Sequence, residues 1–406
     1  MKIVLSSIYP YVFSALFLML PFDEYARSLP NILLIILLVA FPSVIEKADF
    51  SRIKKTPFFI FCAFALYLVL NTLFTGRSET NFAVVNKVLV SLGLVILYLP
   101  VRDIKKVNKA IIFSALAAIL FSMYSIVLVI NQEGIFNIGN PLRSVDTLLI
   151  DRQYLGLLSV ISILVSYWSM KKTYDANNKY YLANIIINLL FVFLIVSRYA
   201  VVALLVLALV KQFYGQKRGL RLGIAIAAIA VLSVIVYSIK DTSAKRFIYA
   251  EDYATNALLV KDNNSFDPRK EIWSCAVSII KDEGLLVSGL GFEGTKNTLK
   301  NCYQEQIQDA NTKEWFSKKK YNSHNQFLDF LMSSGIIALA LLLLWVIYTF
   351  FKNRNNYNLT AFLIAIVAFG MIENFFHRQI GAYYFGFFLI ILLIEHKKSI
   401  ASKTSL

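Results

Sequence analysis

The sequence predicts an all-α polytopic membrane protein with about twelve transmembrane helices. Three observations carry that prediction. Hydrophobic residues fill 58% of the 406 positions and charged residues 16%, with a mean hydropathy of +0.62, more apolar surface than a soluble domain of this size can bury. Apolar windows of about twenty residues, long enough to cross a bilayer as a helix, recur along the whole chain. The Lys and Arg residues behind the net charge of +16 sit in short clusters between alternate windows. That is the pattern of cytoplasmic loops rather than of a nucleic-acid-binding face.

In order, the windows centre on Phe13, Leu37, Ala65, Leu92, Leu120, Ile161, Leu189, Leu205 and Ile229. After a long polar interruption they resume at Leu341, Ile366 and Phe388. The first has no small-residue cleavage site and leads into another span, so it reads as a helix and not as a secretory signal. Basic clusters at Arg52 and Lys54, Lys105 and Lys106, Lys171 and Lys172, Lys217 and Arg218, Lys352 and Arg354, and Lys397 and Lys398 place both termini in the cytoplasm by the positive-inside rule. The chain then divides into spans one to nine (1–239), an outer loop (240–323), spans ten to twelve (324–396) and a cytoplasmic tail (397–406).

Within the outer loop, "DPRKEIWSCAVSIIKDEG" predicts an amphipathic helix over about 268–283. Asp267 stands as N-cap, Pro268 as first helical residue and Gly284 as the stop. Ile272, Trp273, Ala276, Val277 and Ile280 form its apolar stripe. The "SGLGFEG" that follows is a glycine-rich turn without the Gly-Lys-Ser/Thr ending of a phosphate loop. Of the three cysteines, Cys62 lies in an apolar run. Cys275 and Cys302 share the outer loop, either as a disulfide in an oxidising compartment or as two free thiols.

Three polar features on the outer side can support chemistry. Ser323-His324-Asn325-Gln326 has capping-box spacing, which predicts His324 in the first turn of the tenth span. A helix N-terminus disfavours the imidazolium, and a neutral imidazole can accept a proton from an attacking hydroxyl; a solvated interfacial histidine is the plainer alternative. Arg198 interrupts a long apolar stretch between spans seven and eight. It reads either as a phosphate ligand or as a residue snorkelling to the headgroups. "ENFFHRQIGAYYFGFF" gathers Glu373, His377, Arg378 and Gln379 between spans eleven and twelve, and Arg143, Arg152 and Arg269 add positive charge on the same side. A cavity lined by these groups suits a dianionic, lipid-linked substrate. The histidines show no metal-ligand spacing, and no HExxH, G-x-S-x-G or Walker A motif occurs. Nor do the two halves repeat as transporter halves do.

At "SRYAVVALLVL" (Ser197 to Leu207), "RKEIWSCAVSIIKDEGLLVSGLGFEG" (Arg269 to Gly294) and "SHNQFLDFLMSSGIIAL" (Ser323 to Leu339), the chain resembles the O-antigen ligase and polymerase superfamily of bacterial envelope glycosyltransferases. The resemblance implies a GT-C-like, metal- and cofactor-independent transferase in the inner membrane, with its active site facing the periplasm. It implies an undecaprenyl-diphosphate-linked glycan as donor. It makes His324 the base and Arg198 and Arg269 the diphosphate ligands, and it places Glu373 near a family acidic residue. Asn325, beside the histidine, joins Arg143, Arg152, Glu373, His377, Arg378 and Gln379 as substrate-binding candidates. The ligase branch transfers to a sugar hydroxyl of lipid A–core and the polymerase branch to another lipid-linked unit. The short segment from Asn131 to Ile150 favours ligase, because polymerases often carry a second sizeable outer loop. A protein O-oligosaccharyltransferase and a lipid-linked glycan flippase are the further alternatives.

Overall fold

The computed structural model describes residues 2–23, 25–133, 148–171, 173–214, 219–221, 223, 268–282, 287–319 and 321–395. Its α-helices are α1 (Lys2–Met19), α2 (Leu29–Val44), α3 (Lys55–Phe74), α4 (Ser78–Leu97), α5 (Ile104–Glu133), α6 (Arg152–Ser169), α7 (Asn178–Leu194) and α8 (Arg198–Gln212). They continue with α9 (Pro268–Asp282), α10 (Phe292–Gln306), α11 (Ala310–Lys319), α12 (Gln326–Asn353), α13 (Tyr357–Gly370) and α14 (Gln379–Leu393). Among the described residues there is no strand, only an isolated bridge between Ile53 and Ile394. Every predicted span centre falls inside one of these helices except Ile229, which lies outside the described residues, as do Asp267 and Gly284.

Among the described residues, five helical stretches are long and apolar enough to cross a membrane by themselves: Lys2–Phe22, Lys55–Phe74, Glu79–Leu97, Ile104–Val129 and Gln326–Asn353. Shorter apolar helices, including α2, α7, α13 and α14, pack among them. The protein is an all-α, multi-pass membrane protein. Large side chains on the outer surfaces are apolar, among them Ile35, Val39, Leu66, Phe113, Leu120, Leu190 and Ile347, as a lipid-facing surface requires. Polar groups turn inward instead. The Asn184 amide of α7 donates to Ser162 Oγ at 2.9 Å and Ser166 Oγ at 2.8 Å on α6, the polar pairing that holds helices together where lipid offers no hydrophobic contrast. Deepest of all is α14, buried at every position from Ile380 to Leu393; a helix apolar on all sides belongs in the interior.

Outside this bundle, α9, α10 and α11 form a second, smaller core with the start of α12. It is built from residues such as Ile272, Cys275, Ala276, Leu299, Tyr303, Phe316 and Met332. A Cys275–Cys302 disulfide with Cα atoms 5.9 Å apart ties α9 to α10. The buried face of α9 is Ile272, Cys275, Ala276 and Ile279, while Trp273 and Val277 are exposed. The predicted stripe is therefore rotated by part of a turn, because the bonded Cys275 must point inward.

The tenth span is not one straight helix. Gly335 breaks α12 with φ 83° and ψ −179°, and the glycine-rich turn docks against the break. Leu290 N donates to Met332 O at 2.7 Å and Gly291 N to Ser333 O at 2.9 Å. These bonds satisfy carbonyls that the interrupted helix leaves without internal partners. From the other side Tyr67 Oη donates to Val287 O and Ser334 O, Asn71 Nδ2 to Ser288 O, and Arg77 Nη1 to Gly289 O. The turn is thus a structural latch between α3, α4 and α12.

Candidate active site

Four elements meet at one end of the bundle: the start of α8, the start of α9, the segment leading into α12, and the link between α13 and α14. The N-cap of α12 is Asn325, whose Oδ1 accepts from Phe327 N at 3.0 Å and Leu328 N at 3.1 Å. Ser323 does not cap, because its hydroxyl bonds to Asn325 O and the Asn374 amide. His324 therefore stands just before the helix rather than in its first turn, which corrects the sequence reading. Its φ is 42°, a left-handed conformation that costs a non-glycine residue about 1–3 kcal/mol. Strain of this kind persists where surrounding contacts fix the chain.

The segment 323–329 is stitched alongside the link 373–377. Ser323 bonds to Asn374, and Gln326 Oε1 accepts from Phe376 N at 3.1 Å. Two histidine–carboxylate pairs complete the seam. His324 Nδ1 lies 3.4 Å from Glu373 Oε2, ion-pair range rather than a full hydrogen bond. His377 Nε2 lies 2.8 Å from Asp329 Oδ2. Trp273 of α9 donates its indole N–H to Ser323 O at 3.1 Å, and Tyr321 packs its ring 5.5 Å from the His324 ring. The imidazole is held on several sides, with its Nδ1 edge toward the carboxylate.

Burial pushes the Glu373 carboxyl up, but His324, Arg378 and Arg269 together outweigh that and hold it below its ordinary value of 4.5. A carboxylate more acidic in the folded than in the unfolded chain adds stability above the unfolded value, lost as pH falls through the folded one. Glu373→Gln is accordingly expected to lower the unfolding temperature most at neutral pH, with the deficit fading as the pH falls through the lowered value of the folded carboxyl. Thermal unfolding of both proteins in detergent across that range checks this; an equal deficit at every pH would contradict it.

A cavity of about 660 Å³ opens beside the seam between α8, α12 and α13. Its walls are Val202, Val206, Ile347, Phe350, Leu363, Val367 and other apolar side chains, and its polar lining is Gln153, Arg198 and Arg269. Arg198 is the first residue of α8 and Arg269 lies in the first turn of α9. Arg269 also reaches Glu373 electrostatically. The structure thus brings together His324, Asn325, Arg198, Arg269, Glu373 and Arg378. Arg378 pairs with Asp151 Oδ2 at 3.2 Å and lies over the Tyr154 ring. Gln379 is drawn away, its amide donating to Asn31 Oδ1 and to Tyr383 Oη. Arg152 opens α6, but its neighbour Gln153 is the residue that lines the cavity. Arg143 lies outside the described residues.

Residues 183–343 match the family model described as O-antigen ligase. Over that stretch the chain is similar to the O-antigen ligase family. No curated protein matches it. The matched stretch holds Arg198, Arg269 and His324 and ends before Glu373 and His377, so the geometry above is what joins those two to the family region. Members of this family are membrane glycosyltransferase-like enzymes. Sequence reasoning missed Asp329, Asn374 and Gln153. Asp329 did carry a signal, since an acid just inside an apolar span is costly and calls for a partner. Gln153 and Asn374 carried none, because polar amides at span ends are commonplace.

Proposed function

We propose that the protein transfers a glycan from a polyprenyl diphosphate, undecaprenyl diphosphate in the ligase branch, to a sugar hydroxyl of lipid A–core. The observation that carries this reading is the apolar cavity lined at its polar part by Arg198 and Arg269. An isoprenoid chain fits apolar walls, and two guanidiniums match a diphosphate. The acceptor hydroxyl attacks the anomeric carbon and gives its proton to His324 through Nε2, the ring nitrogen away from Glu373. Glu373 stabilises the imidazolium that forms. The carbon–oxygen bond to the diphosphate breaks on the opposite face, which inverts the anomeric centre, and Arg198 and Arg269 take up the charge growing on the leaving group. The bundle's basic ends support an outward-facing site: α12 runs from the seam to Lys352, and α8 runs from Arg198 to Lys211.

Arg198→Ala and Arg269→Ala are each expected to weaken binding of farnesyl diphosphate, a short water-soluble donor analogue, by about tenfold or more. Titration of the full chain in nanodiscs measures this. Unchanged affinity in both variants would remove the diphosphate assignment. In the source bacterium, deletion should leave core without O-chain while carrier-linked polymer accumulates on lipopolysaccharide gels. Core bearing a single unit would point to polymerase instead.

A further inference from the structure

A second cavity, of about 340 Å³, lies between α4 and α10 and has a different chemistry. Glu293, Lys296, Asn297 and Lys300 line it from α10, Thr80 from α4, and His377 from the seam. The four α10 residues recur at helical spacing on one face, while the opposite face, Thr295, Leu299, Cys302 and Tyr303, is buried in the smaller core. A polar face on an amphipathic helix ordinarily points at water. Here Glu293, Lys296 and Asn297 are exposed and Lys300 is half-buried, and α4 forms one wall beside them: Asn81 Oδ1 accepts from Phe292 N at 2.9 Å and fixes the start of α10 against α4.

The α13–α14 link runs from one cavity to the other. Met371 and Ile372 line the apolar cavity, Glu373 faces His324, and His377 lines the polar one. His377 is held there by Asp329, whose side chain is 2% exposed, and by an edge contact with the Phe292 ring at 5.9 Å. The histidine proposed as base thus lies on a seam with an apolar, arginine-bearing cavity at one end and a polar, lysine-bearing one at the other. A two-substrate transfer needs two such approaches.

We propose that the α4–α10 cavity binds the acceptor as a sugar bearing a phosphate, with Lys296 and Lys300 on the phosphate and Glu293, Asn297, Thr80 and His377 on the hydroxyls. This rests on the transferase reading above. Two ammonium groups four residues apart present donors to one anion, and the side-chain oxygens of Glu293, Asn297 and Thr80 can accept from sugar O–H groups. Its apolar lining is a short patch of Ala83, Val84 and Phe292, in contrast to the long apolar walls on the donor side.

The test uses the full chain in nanodiscs and four probes: glucose 6-phosphate, glucose, inorganic phosphate and farnesyl diphosphate. The wild type is expected to bind glucose 6-phosphate about tenfold more tightly than glucose or inorganic phosphate. Lys296→Ala combined with Lys300→Ala should weaken glucose 6-phosphate by at least about tenfold and leave farnesyl diphosphate unchanged. Arg198→Ala with Arg269→Ala should do the reverse. Wild-type affinity for glucose 6-phosphate in the lysine variant overturns the proposal. So does equal binding of inorganic phosphate and the sugar phosphate, or joint loss of both ligands in either variant. If the lysine variant loses glucose 6-phosphate while the arginine variant keeps farnesyl diphosphate, the donor assignment fails and the sugar-phosphate pocket stands.

Discussion

His324→Ala is expected to lower glycan transfer about 10³-fold, within the range that a positioned general base contributes. Farnesyl diphosphate affinity should stay within about twofold, because the proposed diphosphate ligands, Arg198 and Arg269, are untouched. The measurement is transfer of a labelled, lipid-diphosphate-linked oligosaccharide to acceptor by the purified protein, with analogue binding measured in parallel. A flippase would behave differently: lipid translocation does not need an imidazole base, so activity would survive the substitution. Full transfer by His324→Ala would end the base assignment. Glu373 supplies a second check. Its carboxylate lies 3.4 Å from Nδ1 and acts through the histidine, so Glu373→Gln should cost far less in a His324→Ala background than alone. Additive losses would mean that Glu373 acts on something other than the imidazole.

Much of this arrangement was legible in the sequence, and the reason differs by feature. Helices were readable because apolar runs of membrane length have little other fate. Arg198 and His324 stood out because a polar residue at the border of an apolar run needs an explanation. The exact seating of His324 was not readable. Ser323 and Asn325 are both good N-caps, and the choice between them depends on Asn374, fifty-one residues away, which occupies Ser323 Oγ. The rotated face of α9 has the same origin, since a disulfide to Cys302 overrides a stripe read from hydropathy alone. Gln379 looked like part of the polar cluster because it follows Arg378. The turn into α14 instead sends its amide toward Asn31 on α2. What the sequence left undecided was set by contacts between distant segments, which local spacing does not encode.

Gly335→Ala is expected to be among the most damaging single-methyl additions in the chain. At φ 83° and ψ −179° the residue occupies backbone space that is essentially glycine's alone. A Cβ there would stand 2.0 Å from Val287 O and 2.5 Å from Val287 C. Neither is the loose end of a side chain: Val287 O is held by the Tyr67 hydroxyl at 2.9 Å. Backbone strain of about 1–3 kcal/mol and overpacking of about 1–3 kcal/mol therefore add up, unless the latch lets go. If it does, residues 287–291 leave α12 and the smaller core shifts, carrying Arg269 and Trp273 away from the seam. Two readouts separate these outcomes. Strain retained in place should lower the unfolding temperature markedly, whereas an opened latch should spare the bundle but abolish transfer and weaken farnesyl diphosphate binding. Trp273 is the natural reporter, because its indole hydrogen bond to Ser323 O breaks when α9 moves and its fluorescence should change. A Gly335→Ala protein with wild-type unfolding, transfer and fluorescence would show that the turn is not latched against α12 as described. The companion substitution Gly289→Ala tests the other half of the contact. Gly289 has φ 66°, and its Cβ would meet Ser333 C at 2.5 Å, so it should reproduce the same loss from the opposite side of the latch.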